Sequence, residues 1–262
     1  MFEFTINNLN FSYSQKSEKI LKNVNLNIHS NKFTAIIGAN ASGKSTLFKL
    51  LSGEEKPSNG SVKYYGKEII DIDLKSRSKD IAIVHQITET INYFTVEEIV
   101  EMARTSYHSF FNNKLSIEDK KAIQKALKMV GLEHIKNKYF NQLSGGQRQR
   151  VWIALALAKE PKTILLDEPM TFLDIKYQLE ILSILKKLIN EYNITVVAIL
   201  HDLNQVLHYS DYVIAIKDGL LYAEGKTKDT ITKELVRDLF DINADFVKCH
   251  HGKKILDIYL EE

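Results

Sequence analysis

Gly38-Ala-Asn-Ala-Ser-Gly-Lys-Ser45 has the spacing G-x-x-x-x-G-K-S, and its reading decides the fold. That spacing is the signature of a phosphate-binding loop. Gly38 and Gly43 let the backbone curl so that successive N–H groups point inward and form an anion nest. Lys44 has the reach for β- and γ-phosphates, and Ser45 has a hydroxyl to offer Mg²⁺. The run Thr34-Ala-Ile-Ile37 before the loop is apolar and strand-like, and Thr46-Leu-Phe-Lys-Leu-Leu51 after it has helical spacing. Strand, loop and helix in that order aim a helix N-terminus at the phosphates.

The rest of the chain sets bounds. Its 262 residues suit one large domain or two small ones, with enough length for a substantial core. Hydrophobic residues at 44% and charged residues at 26% make an ordinary globular balance. A net charge of +2 gives no argument for a nucleic-acid surface. Apolar runs such as Ile194-Thr-Val-Val-Ala-Ile-Leu200 are too short to span a bilayer. Met1-Phe-Glu-Phe-Thr5 lacks the basic and apolar regions of a secretory signal. The single cysteine, Cys249, cannot form an internal disulfide, which fits a reducing cytoplasm.

Taken in order, Phe2–Leu9 and Val24–Ile28 alternate like half-buried strands. Tyr13 lies between them; a lone tyrosine is core filler by default, but its place ahead of the phosphate loop favours another role. Ser52-Gly53 stops the loop helix, and Pro57-Ser-Asn-Gly60 reads as a turn. Val62–Tyr65 and Lys67–Ile70 read as a hairpin around Gly66, and Ile81–Val84 as a buried strand ending at His85-Gln86. These short strands suggest an antiparallel patch beside a parallel sheet. From Ile87 to Glu160 no good buried strand is visible. Val96–Arg104, Ile117–Val130 (with Ser116 as N-cap) and Glu133–Lys136 read as helices there, a helical insertion between two strands.

Inside that insertion, Leu143-Ser-Gly-Gly-Gln-Arg-Gln-Arg150 leads into the apolar helix Val151–Ala158. Glycines at a helix start make either a second anion site or a hinge capped by Ser144. Thr163-Ile-Leu-Leu-Asp-Glu-Pro169 is a buried strand ending in two acids. Ligands of α/β sheets bind at such strand ends. Asp167 suits Mg²⁺ and Glu168 a water-activating base. Ile175, Leu179, Leu182, Leu185 and Ile189 form one stripe on a helix over 175–189, read as core packing. Ile194–Leu200 is a buried strand ending at His201-Asp202, where a histidine could also be satisfied by local backbone. Asp218-Gly219 between Asp211–Lys217 and Leu220–Glu224 is a two-residue hairpin signal. From Thr227, short helices precede a last strand pair at Phe246–Lys248 and Ile255–Tyr259. Cys249-His250-His251 raises the question of a metal, but two ligands on one face do not close a site.

With these motifs on one chain, the sequence resembles the ATP-binding subunit of an ABC transporter over nearly its whole length. The resemblance rests on Gly38–Ser45 (Walker A), Gln86 (Q-loop), Leu143-Ser-Gly-Gly-Gln147 (signature), Ile164–Glu168 (Walker B), Leu173-Asp174 (D-loop) and His201 (H-loop). It implies an α/β fold, a P-loop NTPase (RecA-like) core with an antiparallel β subdomain. A helical subdomain inserted over 87–160 and an accessory segment over 227–262 complete a single ABC ATPase domain, 1–262. It implies ATP and Mg²⁺ as ligands. Nucleotide contacts would be Tyr13 against adenine, then Gly38, Ala39, Asn40, Ala41, Ser42, Gly43, Lys44, Ser45 and Thr46. Ser144, Gly145, Gly146, Gln147 and Asp174 would serve nucleotide across a head-to-tail dimer. Ser45, Gln86 and Asp167 would face the metal; Glu168, His201 and Gln86 would be catalytic. Many relatives have Pro and Gly where this chain has Ala39 and Ala41, and Met170 replaces a common Thr or Ser. Neither alanine position needs glycine for the nest.

Thr171–Leu182, Arg148–Ala154 and the tail after Asp241 resemble importers of ferric siderophores, haem and cobalamin. That implies integral-membrane permease subunits, an indirect substrate-binding protein, no nucleic acid, and a peripheral place on the cytoplasmic face of the membrane. The alternatives are a soluble ABC ATPase of DNA repair or translation, the ATPase of a different ABC importer or an exporter, and another P-loop class such as a small-molecule kinase. No heptad run splits the cassette as in repair types. Only one cassette is present, unlike most translation types. No membrane helices are fused to it, and Ser144-Gly-Gly-Gln147 with His201 argue against a kinase.

Overall fold

A computed structural model describes residues 1–14, 17–86, 91–105, 115–248 and 254–260. In chain order its elements are β1 (Phe2–Phe11), β2 (Leu21–His29), β3 (Phe33–Ile37), α1 (Lys44–Ser52), β4 (Asn59–Tyr64), β5 (Lys67–Glu68), α2 (Leu74–Asp80), β6 (Ile81–Val84) and α3 (Val96–Thr105). There follow α4 (Ile117–Met129), α5 (Gly145–Leu157), β7 (Thr163–Leu166), α6 (Ile175–Tyr192), β8 (Thr195–Ile199), α7 (Leu203–Tyr209), β9 (Tyr212–Lys217), β10 (Leu220–Lys226), α8 (Thr227–Thr230), α9 (Lys233–Phe240), β11 (Asn243–Lys248) and β12 (Lys254–Tyr259). The larger sheet has the order β10-β9-β3-β8-β7-β6, and a smaller one the order β2-β1-β4-β5. The chain divides into two compact units, Met1–Asp73 with Val197–Glu262, and Leu74–Val196.

In the first unit, β1 is antiparallel to both β2 and β4. Inward residues Phe4, Ile6, Leu9, Val24, Leu26 and Ile28 are fully buried, the alternation of a half-buried sheet. β3 is buried along its whole length, as a central parallel strand demands, and pairs in parallel with β9. Asp218 and Gly219 both adopt positive φ, the turn that the hairpin β9-β10 requires. Pro57–Gly60 is less of a turn than expected, because Asn59 and Gly60 already belong to β4. Ile70 lies in a single 3₁₀ turn over Ile69–Asp71 rather than in the hairpin strand.

In the second unit, β6 and β7 are parallel neighbours, so β6 belongs to the large sheet and not to the antiparallel patch. Helices α3, α4 and α5 pack on one another. Ser116 caps α4 in a reciprocal capping box with Asp119. Asp119 is also buried against Arg104, whose Nε donates to Asp119 Oδ1 at 2.8 Å while its Nη1 donates to the Ala158 carbonyl at 3.0 Å. One ion pair thereby ties α3, α4 and the end of α5. The stripe on α6 behaves differently from the expectation. Leu182, Leu185 and Ile189 are buried, but Ile175 is 76% exposed and Leu179 43%. Burial on α6 begins only at Ile181, and the first two turns border an open groove with Lys128, Lys176 and Lys187. A stripe shows which face is apolar, not how far a neighbour extends along it. The α2 segment was not expected as a helix; none of its residues is buried, so it carries no stripe to read.

Removing one partner of a buried pair costs ~3–5 kcal/mol, and Arg104 would keep the half-exposed Glu160, 3.6 Å away. Asp119→Ala should lower the stability of the chain by that amount, read from the urea midpoint. A loss under ~1 kcal/mol, the scale of an exposed pair, would contradict this role for the pair.

Candidate functional site

The phosphate loop and its surroundings lie in the first unit. β3 delivers the chain to Gly38, whose φ is +151. A Cβ there would sit 2.2 Å from the Ile216 carbonyl oxygen and 2.7 Å from Ser42 Oγ, so no other residue fits. The tip residues Ala39, Asn40 and Ala41 are exposed, whereas Ser42, Gly43 and Lys44 are buried. Ala41 has φ +61, so its methyl group sits in the left-handed region. That conformation costs an L-residue ~1–2 kcal/mol. The departure from glycine at this position is therefore not neutral for the backbone, although the loop forms.

Lys44 Nζ folds back over the loop and donates to the carbonyls of Gly38 at 2.9 Å and Ala39 at 2.7 Å. Helix α1 starts at that residue. No side chain caps it and its first turn holds no acid. By contrast α4, α5, α7 and α9 are capped by Ser116, Ser144, Asp202 and Thr232. A helix N-terminus presents N–H groups that the helix cannot satisfy, together with a partial positive charge. Ser42 Oγ is buried with no hydrogen-bond partner among the described residues. A helix start, a buried ammonium and the Ser42 hydroxyl without a partner are the complement of a polyphosphate. Ser45 is exposed and Thr46 is buried.

Two more candidates stand in the same unit. Leu200 N–H donates to the Ile36 carbonyl at 3.2 Å, so exposed His201 leaves β8 level with the start of the loop. Tyr13 is 57% exposed, which excludes the core-filler alternative. Its ring meets Phe11 edge-on at 5.0 Å, and Lys49 of α1 lies 6.0 Å from its centroid. One face of the ring is a surface on which a planar group can stack.

The second unit carries the acids and the signature. Asp167 N–H donates to the Val84 carbonyl at 2.9 Å, which extends the β6–β7 ladder by one residue. Gln86, Asp167 and Glu168 therefore leave adjacent parallel strands together. Gln86 is exposed and both acids are half-buried. Glu168 has φ +48, a left-handed conformation for a residue with a side chain. Thr171 holds it: Thr171 Oγ1 donates to Glu168 Oε2 at 3.2 Å, and Thr171 N–H to the Glu168 carbonyl at 3.3 Å. Thr171 was not singled out as a site residue, yet a threonine three residues after an acid is a local turn signal.

Ser144 is the N-cap of α5, accepting from Gln147 N–H at 3.4 Å while Gln147 Oε1 accepts from Ser144 N–H at 3.1 Å. The cap itself is therefore present, and the Ser144 hydroxyl keeps its own proton to donate. Gly146 is buried under Tyr177 of α6, and a Cβ there would lie 2.5 Å from the ring. Its missing side chain is what lets α5 approach α6. Gly145 is exposed and meets only Leu173, at 3.4 Å. Asp174 stands exposed at the start of α6 without a capping bond. Met170 is buried, 7% exposed. Cys249-His250-His251 lies outside the described residues. Among the described residues, no cluster of three or more His, Cys, Asp or Glu is arranged to hold a metal. No described helix is long and apolar enough to cross a membrane.

Residues 21–171 match the ABC transporter family. The chain is 41% identical over 225 residues to the probable siderophore transport system ATP-binding protein YusV of Bacillus subtilis (strain 168), covering 86% of this chain and 82% of that one. It is 39% identical over 228 residues to the iron(3+)-hydroxamate import ATP-binding protein FhuC of the same organism, covering 87% and 84%. Among solved structures, the dimeric post-hydrolysis state of the ATP-binding cassette MJ0796 bound to ADP and Pi superposes with a TM-score of 0.72. Its identity is 36%, over 86% of this chain and 99% of that one. With the phosphate loop, the paired acids and the signature inside or beside the matched stretch, the chain belongs to the ABC transporter family as an ATP-binding, ATP-hydrolysing protein.

Proposed function

We propose that this chain powers an importer of iron chelates, siderophore or haem complexes, from the cytoplasmic face of integral-membrane permease subunits. It would act there as an ATP-dependent head-to-tail pair, with a substrate-binding protein feeding the permease. The observation that carries the nucleotide part is the N-terminus of α1, which has no side-chain cap and begins with the buried Lys44. The substrate class is supported by relatives named for siderophore transport and iron(3+)-hydroxamate import. The head-to-tail pair is supported by the dimeric cassette that superposes on the chain.

Each residue then has a role. The nest from Gly38 to Thr46 binds the phosphates, and Lys44 exchanges its two carbonyls for β- and γ-oxygens. Tyr13 stacks on adenine. Ser45, Gln86 and Asp167 supply the oxygen ligands that suit Mg²⁺, a hard cation. When bound, Mg²⁺ neutralises charge on the phosphate oxygens. Glu168 accepts a proton from the attacking water, its carboxylate oriented by Thr171. His201 donates to the γ-phosphate. Ser144 of the second copy donates its hydroxyl to the same group, with Gly145, Gly146, Gln147 and Asp174 forming the rest of the opposing surface.

Glu168→Gln keeps the shape and the Thr171 bond but accepts a proton poorly. Hydrolysis should fall by ~10²–10⁴-fold, the usual contribution of a general base. Mg·ATP should still bind, and light scattering should show a dimer in ATP and a monomer without it. Phosphate release at the wild-type rate would remove Glu168 from the base role.

For the substrate, a strain lacking this chain should fail to grow on ferric siderophores or haem as sole iron sources. Unchanged uptake of every iron chelate, together with lost uptake of a sugar or amino acid, would overturn the iron assignment.

A further inference from the structure

A cavity of about 660 Å³ opens in the C-terminal part of the first unit, between α7, the α8–α9 turn and the strands β11 and β12. None of the nucleotide residues lines it. Its floor is apolar, built from Leu207, Ile231 and Phe246, and Lys228 and Lys254 line it beside them. A space of that size with an apolar lining and a few charged groups is the usual form of a small-molecule site.

The charge inside has one sign to spare. Lys233, also at the cavity, forms an ion pair with Asp245. Glu234, the acid there, accepts bonds from its own N–H and Thr232 at the start of α9 and keeps its negative charge, which leaves Lys228 and Lys254 in excess by one. Lys228 has no hydrogen bond or ion pair among the described residues, and Lys254 Nζ lies 5.8 Å from the centre of the Phe246 ring. Two ammonium groups beside an apolar floor complement an anion with an apolar body.

The wall also belongs to the helix that follows His201. Asn204 exchanges two hydrogen bonds with the backbone of Leu256, at 3.0 and 2.7 Å. His208 bonds to the Lys254 carbonyl at 2.8 Å. β12 is thereby clamped along α7, whose N-cap, Asp202, is the residue next to His201. Lys254 is joined to α7 directly, and Phe246 of β11 through its pairing with Leu256.

We propose that this cavity binds a small organic carboxylate with an apolar body, and that its occupancy tunes ATP hydrolysis through α7. The binding half stands on the cavity alone; the regulatory half rests on the assignment of His201 to the γ-phosphate.

1-Naphthoate serves as the probe, titrated calorimetrically into the full chain without nucleotide, with 1-naphthalenemethanol as its neutral counterpart. Naphthoate should bind saturably at one site, and the alcohol about tenfold more weakly or not at all. Lys228→Glu with Lys254→Glu should weaken naphthoate about tenfold or more, with circular dichroism unchanged. Phe246→Ala should weaken naphthoate. Absence of saturable binding, or equal binding to wild type and the double charge reversal, overturns the site. Saturating naphthoate should change the phosphate-release rate of wild type about twofold or more and leave the double variant unaffected. A wild-type rate that does not respond overturns the regulatory half, and because the binding titration contains no ATP, that failure is separate from failure of the nucleotide assignment.

Discussion

The N-terminus of α1 is the constraint on which the rest depends. Helices α4, α5, α7 and α9 close their first turn with a side chain of their own; α1, like α6 and α8, has none, and it starts at Lys44 within the phosphate loop. Helix N–H groups without partners are costly unless water or a ligand satisfies them. A polyphosphate satisfies them and meets the helix dipole with the favourable sign. The sheet fixes this geometry. β3 is buried on both faces, and Gly38 passes so close to the Ile216 carbonyl of β9 that a methyl group would collide. The loop is therefore built where the backbone has no freedom to move away from its ligand.

A second strained backbone sits at Glu168. A left-handed glutamate persists only if its surroundings impose it. Here the Thr171 hydroxyl and N–H both reach back to it, and Asp167 is still tied to β6. The strain aims a carboxylate rather than letting it follow solvent. Ala41 is strained in the same sense without such a clasp, and it marks where this chain tolerates a small cost in the loop.

Much of this was legible in the sequence because the signals were local. The phosphate loop declares itself by spacing, the Asp218-Gly219 turn by its need for positive φ, and Ser116 and Ser144 by the acid or amide three residues on. What was not legible depends on distant neighbours. Ile175 and Leu179 continue an apolar stripe, but among the described residues Ile175 is left 76% exposed and Leu179 43%. Gly146 read as a nucleotide contact; that its lost Cβ makes room for Tyr177 needs the packing of α5 on α6. Helix α2, with every residue exposed or half-buried, has no periodic pattern to find. The cavity beside Phe246 is lined from four separate segments of the C-terminal part of the chain.

Lys44 and the α1 N-terminus together make the proposed phosphate site. Calorimetric titration of Mg·ATP into wild type and Lys44→Ala tests it most directly. The substitution removes the ammonium and its two carbonyl bonds while leaving Gly38, Gly43 and the helix start in place. Hydrogen bonds to charged groups are worth ~1.5–3 kcal/mol each. Affinity should therefore fall by about a hundredfold or more, with circular dichroism unchanged. Wild-type affinity for Mg·ATP in a folded Lys44→Ala chain would contradict the assignment of the site.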